Sequence, residues 1–310
     1  MKNKSRVTEY NSISGFSNVV LNACFIVYSL ACILPLALIL SISLSDEASI
    51  INTGYRFIPE SVSLKSYAFL LKDPNMIGRA YAVTIFIMVA GVVLNVIINS
   101  MYAYAISRKD FPFSSFFSIV ILITLLFNGG IPMFYYVYVR ILHLKDSLLA
   151  LLLPGLGAGF YIFVMRTYFR QNVPVEIIES AKMDGAKETK IFFSLVLPLS
   201  LPILATVSLF SAIYYWNDFF NSLLFIEDRK LYNLQYTMQR AIMNMEFIRR
   251  QLSLLASSSA SQISRSVSSQ VPTETVRMAM VILGIGPIII LYPFLQKYFI
   301  KGLTVGSIKG

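Results

Sequence analysis

The chain has 310 residues, of which 56% are hydrophobic and 14% charged, and it carries a net charge of +10 at pH 7. Soluble domains hold about 25% charged residues, and at a mean hydropathy of +0.67 a water-soluble fold of this length is excluded; the solvent for most of the chain is lipid. The positive charge does not read as nucleic-acid binding, because Lys and Arg lie between apolar runs and not in a stripe interleaved with aromatics; they face headgroups and the cytosol.

Lys2, Lys4 and Arg6 precede the first apolar run, as they would in a signal peptide. That run has no small-residue cleavage site near its end, so it reads as a retained span behind a cytoplasmic tail, residues 1–17. Cys24 and Cys32 both fall inside it. One helix separates them by about 12 Å at 1.5 Å per residue, too far for a disulfide, and they read as small hydrophobes.

Six apolar runs reach the roughly 20 residues a bilayer crossing needs, near 18–42, 80–105, 115–138, 147–166, 202–225 and 278–299. All six are expected to be helices, since open strand edges cannot be satisfied in hydrocarbon. The fold class is therefore an all-α integral membrane protein with six transmembrane helices over 18–300. Pro35, Pro132, Pro154 and Pro287 fall inside runs and are expected to kink or locally unwind them. Arg108 and Lys109 in a tight loop, with Arg166 and Arg170 after the fourth run, favour both termini inside by the positive-inside rule, although Lys and Arg are equally numerous on the two sides in total. Two outer segments stand out. Residues 45–79 hold Asp46, Glu47, Pro59 and a stretch from Val62 to Leu71 suited to a surface helix. The loop 226–277 has helical spacing from Leu231 to Ile248, then a serine-rich part from Ser253 to Gln270 expected to be mobile, with Thr273 as the N-cap of the last span.

The most informative segment is the loop 171–201. Pro174 suits a first helical turn, and Val175 to Asp184 gives two and a half turns with Ile177, Ile178 and Ala181 on one side and Glu176, Glu179 and Lys182 polar. Gly185 sits where a left-handed C-cap belongs. A second helix is expected from Ala186 to Leu197, with Pro198 and Pro202 marking the return to the bilayer. A short rigid wedge of this kind needs a partner outside the membrane. Ser180 and Ala181 are small enough to seat in a groove, and Glu179 can pair with a basic group on that partner.

The run Glu179-Ser180-Ala181-Lys182-Met183-Asp184-Gly185, followed at 195–198 by Leu195-Val196-Leu197-Pro198, resembles the EAA loop of the membrane subunits of binding-protein-dependent ABC importers. Ser180 in place of Ala and Leu195 in place of Ile are mild departures. The terminal run from Phe294 through Tyr298-Phe299 and Lys301-Gly302 to Gly306 and Gly310 resembles that of carbohydrate permeases of the maltose-permease G type, in the branch for polysaccharides and complex oligosaccharides. Phe57-Ile58-Pro59 and Trp216-Asn217-Asp218-Phe219 support it. The resemblance implies a type I ABC importer permease that takes up oligosaccharides. Its implied partners are a second, different permease, two ABC ATPase subunits and an extracellular solute-binding lipoprotein. ATP and Mg would be bound by the ATPase, with no cofactor in this chain. It assigns ATPase coupling to Glu179, Ser180, Ala181, Asp184, Gly185, Leu197 and Pro198, and a reach between the ATPase subunits to the tail residues Gly306, Lys309 and Gly310 in 301–310; a frayed terminus is the plainer alternative for that tail.

Asp218 is an ionisable residue inside an apolar run, which marks a cavity or a partner. Tyr214, Tyr215, Trp216, Asn217 and Asp218 together supply the aromatic faces and planar hydrogen-bonding groups that hold sugars, so they read as pathway residues; a structural polar contact between helices is the competing reading. Gly157 and Gly159, in Pro154-Gly155-Leu156-Gly157-Ala158-Gly159, serve close packing or a flexible kink beside that pathway. No preceding strand or following lysine makes this run a nucleotide loop, and no G-x-x-x-x-G-K-[ST] exists anywhere. The one histidine, His143, has no Ser/Asp set or metal cluster to join, so no catalytic or metal-binding residue is assigned and the chain is read as a transporter subunit and not an enzyme. A permease for a different solute, such as amino acids or phosphate, and a secondary transporter remain the alternatives.

Overall fold

The computed structural model describes residues 15–256 and 274–289. Most of the N-terminal tail, most of the serine-rich segment, Thr273, and the terminal run with Gly306, Lys309 and Gly310 lie outside the described residues. The described part is helical, with one isolated antiparallel bridge between Ser45 and Val62. The chain divides into two compact units, one of residues up to Lys72 with Met245–Leu283, the other of Asp73–Asn244 with the residues from Gly284 on.

In the first unit, α1 (Gly15–Ser43) runs uninterrupted through Pro35. It is exposed along most of its length and buries only Ser41, Ile42 and Ser43 at its end. Asp46 caps α2 (Glu47–Thr53) by accepting from the Ala48 amide at 3.3 Å and pairs with Lys65 at 3.0 Å. The surface helix expected over Val62 to Leu71 is shorter, α3 (Lys65–Leu70). Glu47 accepts from the amides of Glu274 and Thr275 at 3.0 and 2.9 Å and from the Thr275 hydroxyl at 2.7 Å. The helix over 274–289 thus takes capping acceptors from a carboxylate more than two hundred residues upstream, a partner no local pattern reveals.

The second unit is organised around α4 (Pro74–Ser107), which Asp73 caps through the Met76 amide at 3.1 Å. α5 (Ser114–Leu126), α6 (Gly130–Tyr136, continued by a π turn Val137–Ile141), α7 (Leu148–Leu152, continued by a 3-10 turn to Gly155) and α8 (Gly159–Asn172) follow. Next come α9 (Val175–Met183), α10 (Glu188–Ile191), a π turn Phe192–Val196 and α11 (Leu197–Leu199). Then follow α12 (Leu201–Asn217), α13 (Phe220–Phe225) and α14 (Leu234–Ala256), whose residues from Met245 on are counted with the first unit; the helix over 274–289 is α15, of which 274–283 are counted with the first unit and 284–289 with the second. α4 packs mainly on α12 and α8.

Two of the expected spans, 115–138 and 147–166, are bent within their length, and a third bend falls just before the fifth. α5 and α6 meet at 115° where Gly130 has φ +74° and the Asn128 side chain accepts from its amide at 2.9 Å. The fourth run bends by 46° between Gly155 and Gly159, around Gly157 at φ +70°. The helix from Glu188 turns by 83° into α12 at Ser200, between Pro198 and Pro202. α12 stops at Asn217, short of the expected 225, where Asp218 takes an extended backbone and its carboxylate accepts from the Asn221 amide in the first turn of α13. Among the described residues two helices, α1 and α4, are long and apolar enough to cross a bilayer singly, and up to five crossings result if each bent pair is one. The helix expected to begin at Leu231 begins at Leu234, and Ser253 to Ala256, expected to be mobile, continue it.

Candidate coupling site and pathway residues

α9 seats on the core by a narrow edge. Ile178 is 5% exposed and packs with Val173, Phe169 and Ile191, while Ala181 and Ala186 lie partly buried beside them. Ile177, expected on the same face, is exposed instead; two and a half turns of helix offer one residue per turn to a flat contact. Glu179, Ser180, Asp184 and Gly185 are all exposed, on the side away from that seat. The turn after α9 is a Schellman motif: the Gly185 amide donates to Lys182 O and the Ala186 amide to Ala181 O, both at 2.9 Å. Gly185 has φ +77° and open space where a Cβ would stand, so its need is conformational and not steric. The second helix begins at Glu188, two residues later than expected, and holds Leu195 and Leu197 partly buried against the core with Pro198 exposed.

Five side chains not singled out as site residues in the sequence reading converge behind α9. Lys182 Nζ lies 2.9 Å from Asp110 Oδ2 and 2.6 Å from Glu188 Oε1. Asp110 receives Arg108 through both carboxylate oxygens at 2.8 and 2.6 Å. Glu188 accepts from the Tyr104 hydroxyl at 2.8 Å, and the Arg108 guanidinium lies 5.8 Å from the Tyr104 ring centre. The ring of contacts closes on itself beside a groove of about 370 Å³. Hydrogen bonds from Arg108 and then Lys182 hold the Asp110 carboxyl well below its ordinary range. Burial pushes Glu188 up, but the bonds from Lys182 and Tyr104 outweigh it and the net shift is downward. The Arg108–Asp110, Tyr104–Arg108 and Lys182–Glu188 spacings are local, but the contacts that join the two halves, Lys182 to Asp110 and Glu188 to Tyr104, come from elements more than seventy residues apart.

The expected pathway cluster divides. Tyr215 and Trp216 are 1% and 2% exposed. The Tyr215 hydroxyl donates to Leu152 O at 2.9 Å, and Trp216 Nε1 donates to Gly284 O at 2.8 Å. Both are core residues here, each with its ring enclosed and its polar end satisfied, which favours the structural-contact reading over the pathway one. Tyr214, at 43% exposure, and Asn217 stay accessible. Asp218 is partly buried and accepts from the Asn221 amide at 3.1 Å and the Asn221 side chain at 2.9 Å, so it also serves a structural contact. Gly159 faces Ile121 and Leu125 of α5. The tightest packing falls on Gly155, under Tyr215 and Tyr214, whereas Gly157 sits at the bend.

A second polar set went unanticipated. In the buried middle of α4, Asn95 donates to Gly155 O and accepts from Asn99 Nδ2 at 2.6 Å and from Ser211 Oγ at 3.1 Å. It ties α4, α7 and α12 at one point, in the way polar side chains join helices in lipid.

The comparisons with known proteins agree with this architecture. Residues 111–305 match the family described as binding-protein-dependent transport system inner membrane component. The chain is 32% identical over 92% of its length, and 95% of the relative's, to the Bacillus subtilis polygalacturonan/rhamnogalacturonan transport system permease protein YtcP. It is 27% identical over 90% of its length, and 91% of the relative's, to the Halalkalibacterium halodurans arabinooligosaccharides transport system permease protein AraQ. A chain from the crystal structure of a bacterial ABC transporter involved in the import of the acidic polysaccharide alginate superposes with a TM-score of 0.76 at 29% identity, covering 94% of this chain and all of that one. The chain therefore belongs to the family of binding-protein-dependent transport system inner membrane components: it is the all-α permease subunit of an ABC transporter, a membrane protein and not an enzyme.

Proposed function

We propose that this permease forms one half of the translocation pathway of an ATP-driven importer for oligosaccharides delivered by an extracellular solute-binding lipoprotein. It pairs with a second, different permease and with two ATPase subunits, which bind ATP and Mg, and both termini are cytoplasmic. The observation that carries the coupling part is α9 itself, with its inner edge on the core and Glu179, Ser180, Asp184 and Gly185 turned outward. Leu197 and Pro198 lie in the last turn of the helical run that follows, just before the 83° bend into α12. The tail residues Gly306, Lys309 and Gly310 complete the contact with the ATPase. The sugar class is supported by the relatives, whose names specify polygalacturonan/rhamnogalacturonan, arabinooligosaccharides and alginate.

On the pathway side, Tyr214 and Asn217 present an aromatic face and an amide from the end of α12, next to the helix break at Asp218. Gly157 and Gly159 leave the bend beside them thin. Co-purification with the tagged chain, followed by uptake into proteoliposomes, tests the proposal. ATP-dependent accumulation of oligogalacturonides, arabino-oligosaccharides or alginate oligomers, only with the binding protein present, is the expected result. Ion-driven uptake without the ATPase, or ATP-driven uptake of amino acids or phosphate but no sugar, would overturn it.

A further inference from the structure

α9 has little to hold it. It buries one side chain, Ile178, and beyond it the chain passes through the Asp184–Lys187 turn, whose pivot Gly185 has open space where a side chain would stand. A push delivered to such an element would be absorbed by bending at the glycine unless a second attachment spanned the turn. Among the described residues, Lys182 is the one side chain of α9 that makes a hydrogen bond or ion pair to another element. It makes two, one on either side of the turn's path. Asp110 belongs to the loop that leaves α4, and Glu188 opens α10. Tyr104 and Arg108 then close the contacts back onto the last turn of α4.

The end of α4 is gripped from its other side as well. Arg166 and Arg170 of α8 donate to the carbonyls of Ile106 and Ser107, each at 3.3 Å, which suits cations at a helix C-terminus. α4 in turn packs on α8 and α12 and carries the Asn95 junction at its middle. Through α4 this helix end is connected to α8 and to α12, the helix that carries Tyr214 and Asn217.

We propose that Lys182 is a positioning residue of the coupling site: it straps the end of α9 to α4 through Asp110 and to α10 through Glu188, so that displacement of α9 by the ATPase moves those helices together and does not dissipate in the Gly185 turn. The proposal rests on the reading of α9 as the ATPase-coupling element. Exposed ion pairs add little stability singly, and the role assigned here is geometric: one ammonium bridges two carboxylates on two different elements.

The test uses the whole importer in proteoliposomes, with oligosaccharide imported per ATP hydrolysed as the readout. Lys182→Met is expected to lower that ratio by about 5- to 150-fold, the usual span of an allosteric coupling, while co-purification with the ATPase and binding-protein-stimulated hydrolysis persist. Lys182→Arg should restore it, since a guanidinium reaches both carboxylates. Asp110→Asn should lower it too, and the Lys182→Met/Asp110→Asn double variant should be no worse than the more affected single one, the signature of a shared interaction. A wild-type ratio in Lys182→Met, additive losses, or failure of the complex to assemble in both single variants would overturn the strap. Glu179→Lys separates the two ideas: normal transport by that variant would overturn α9 as the coupling element, whereas loss of transport in it beside a normal Lys182→Met would overturn the strap alone.

Discussion

A Cβ on Gly155 would stand 2.5 Å from Cζ of Tyr215, so the aromatic ring lies directly on the backbone of the bend between α7 and α8. Gly91 of α4 meets the same ring from another side. Tyr215 of α12 is thereby wedged between α4 and the end of α7, with its hydroxyl on Leu152 O. Gly155→Ala is expected to cost about 1–3 kcal/mol through overpacking. Thermal unfolding of the purified permease complex should show the drop, and Gly157→Ala, where a Cβ meets open space, should lose only what its positive φ imposes.

Burial separates neighbours in the aromatic cluster, and variants should follow that division. Trp216→Phe strands the Gly284 carbonyl, at a cost of about 1–3 kcal/mol for a buried unsatisfied group, and should lower stability with KM for the sugar unchanged. Tyr214→Ala and Asn217→Ala should leave unfolding nearly untouched and raise KM in vesicle uptake. A stability loss in the second pair with KM intact would return these two residues to a structural role.

Gly185 poses a purely conformational requirement. Ala there must hold a left-handed backbone, at about 1–2 kcal/mol, whereas Asn tolerates that region. Transport in vesicles should rank Gly185→Asn above Gly185→Ala, and Gly185→Ala above Gly185→Val, with ATP hydrolysis falling less than transport. Equal transport by all three would show that the Schellman turn is dispensable.

The ring around Lys182 fixes a pH window. Asp110 and Glu188 have lowered folded values, so their contribution is complete above the unfolded carboxylate range of about 3.9–4.3 and fades as pH falls toward the folded values. Lys182 is raised by its bonds to Glu188 and Asp110; its contribution is complete below about 10.4 and fades only above that. The part of the import-to-ATP ratio that Lys182→Met removes should therefore be flat from about pH 5 to 9. Vesicle uptake of the wild type and the variant across that range checks this, and a midpoint within it that disappears in the variant would contradict the prediction.

Much was decided by the residues in order. Composition alone set the solvent, the long apolar runs set helices over lipid-scale lengths, and Val175 to Gly185 wrote out a short amphipathic helix with its glycine stop, because caps and periodicity are local physics. The bends at Gly130, Gly157 and Ser200 were only partly legible, since a proline or glycine marks where a helix is able to break but not the angle at which its halves are packed. Tertiary structure alone decided that Tyr215 and Trp216 are enclosed while Tyr214 and Asn217 are not, that Glu47 caps a helix far along the chain, and that Lys182 meets Asp110 and Glu188 at once. Each of these depends on which side chain a distant element brings within about 3 Å, the reach of a hydrogen bond, and residue spacing along one segment carries no record of that distance.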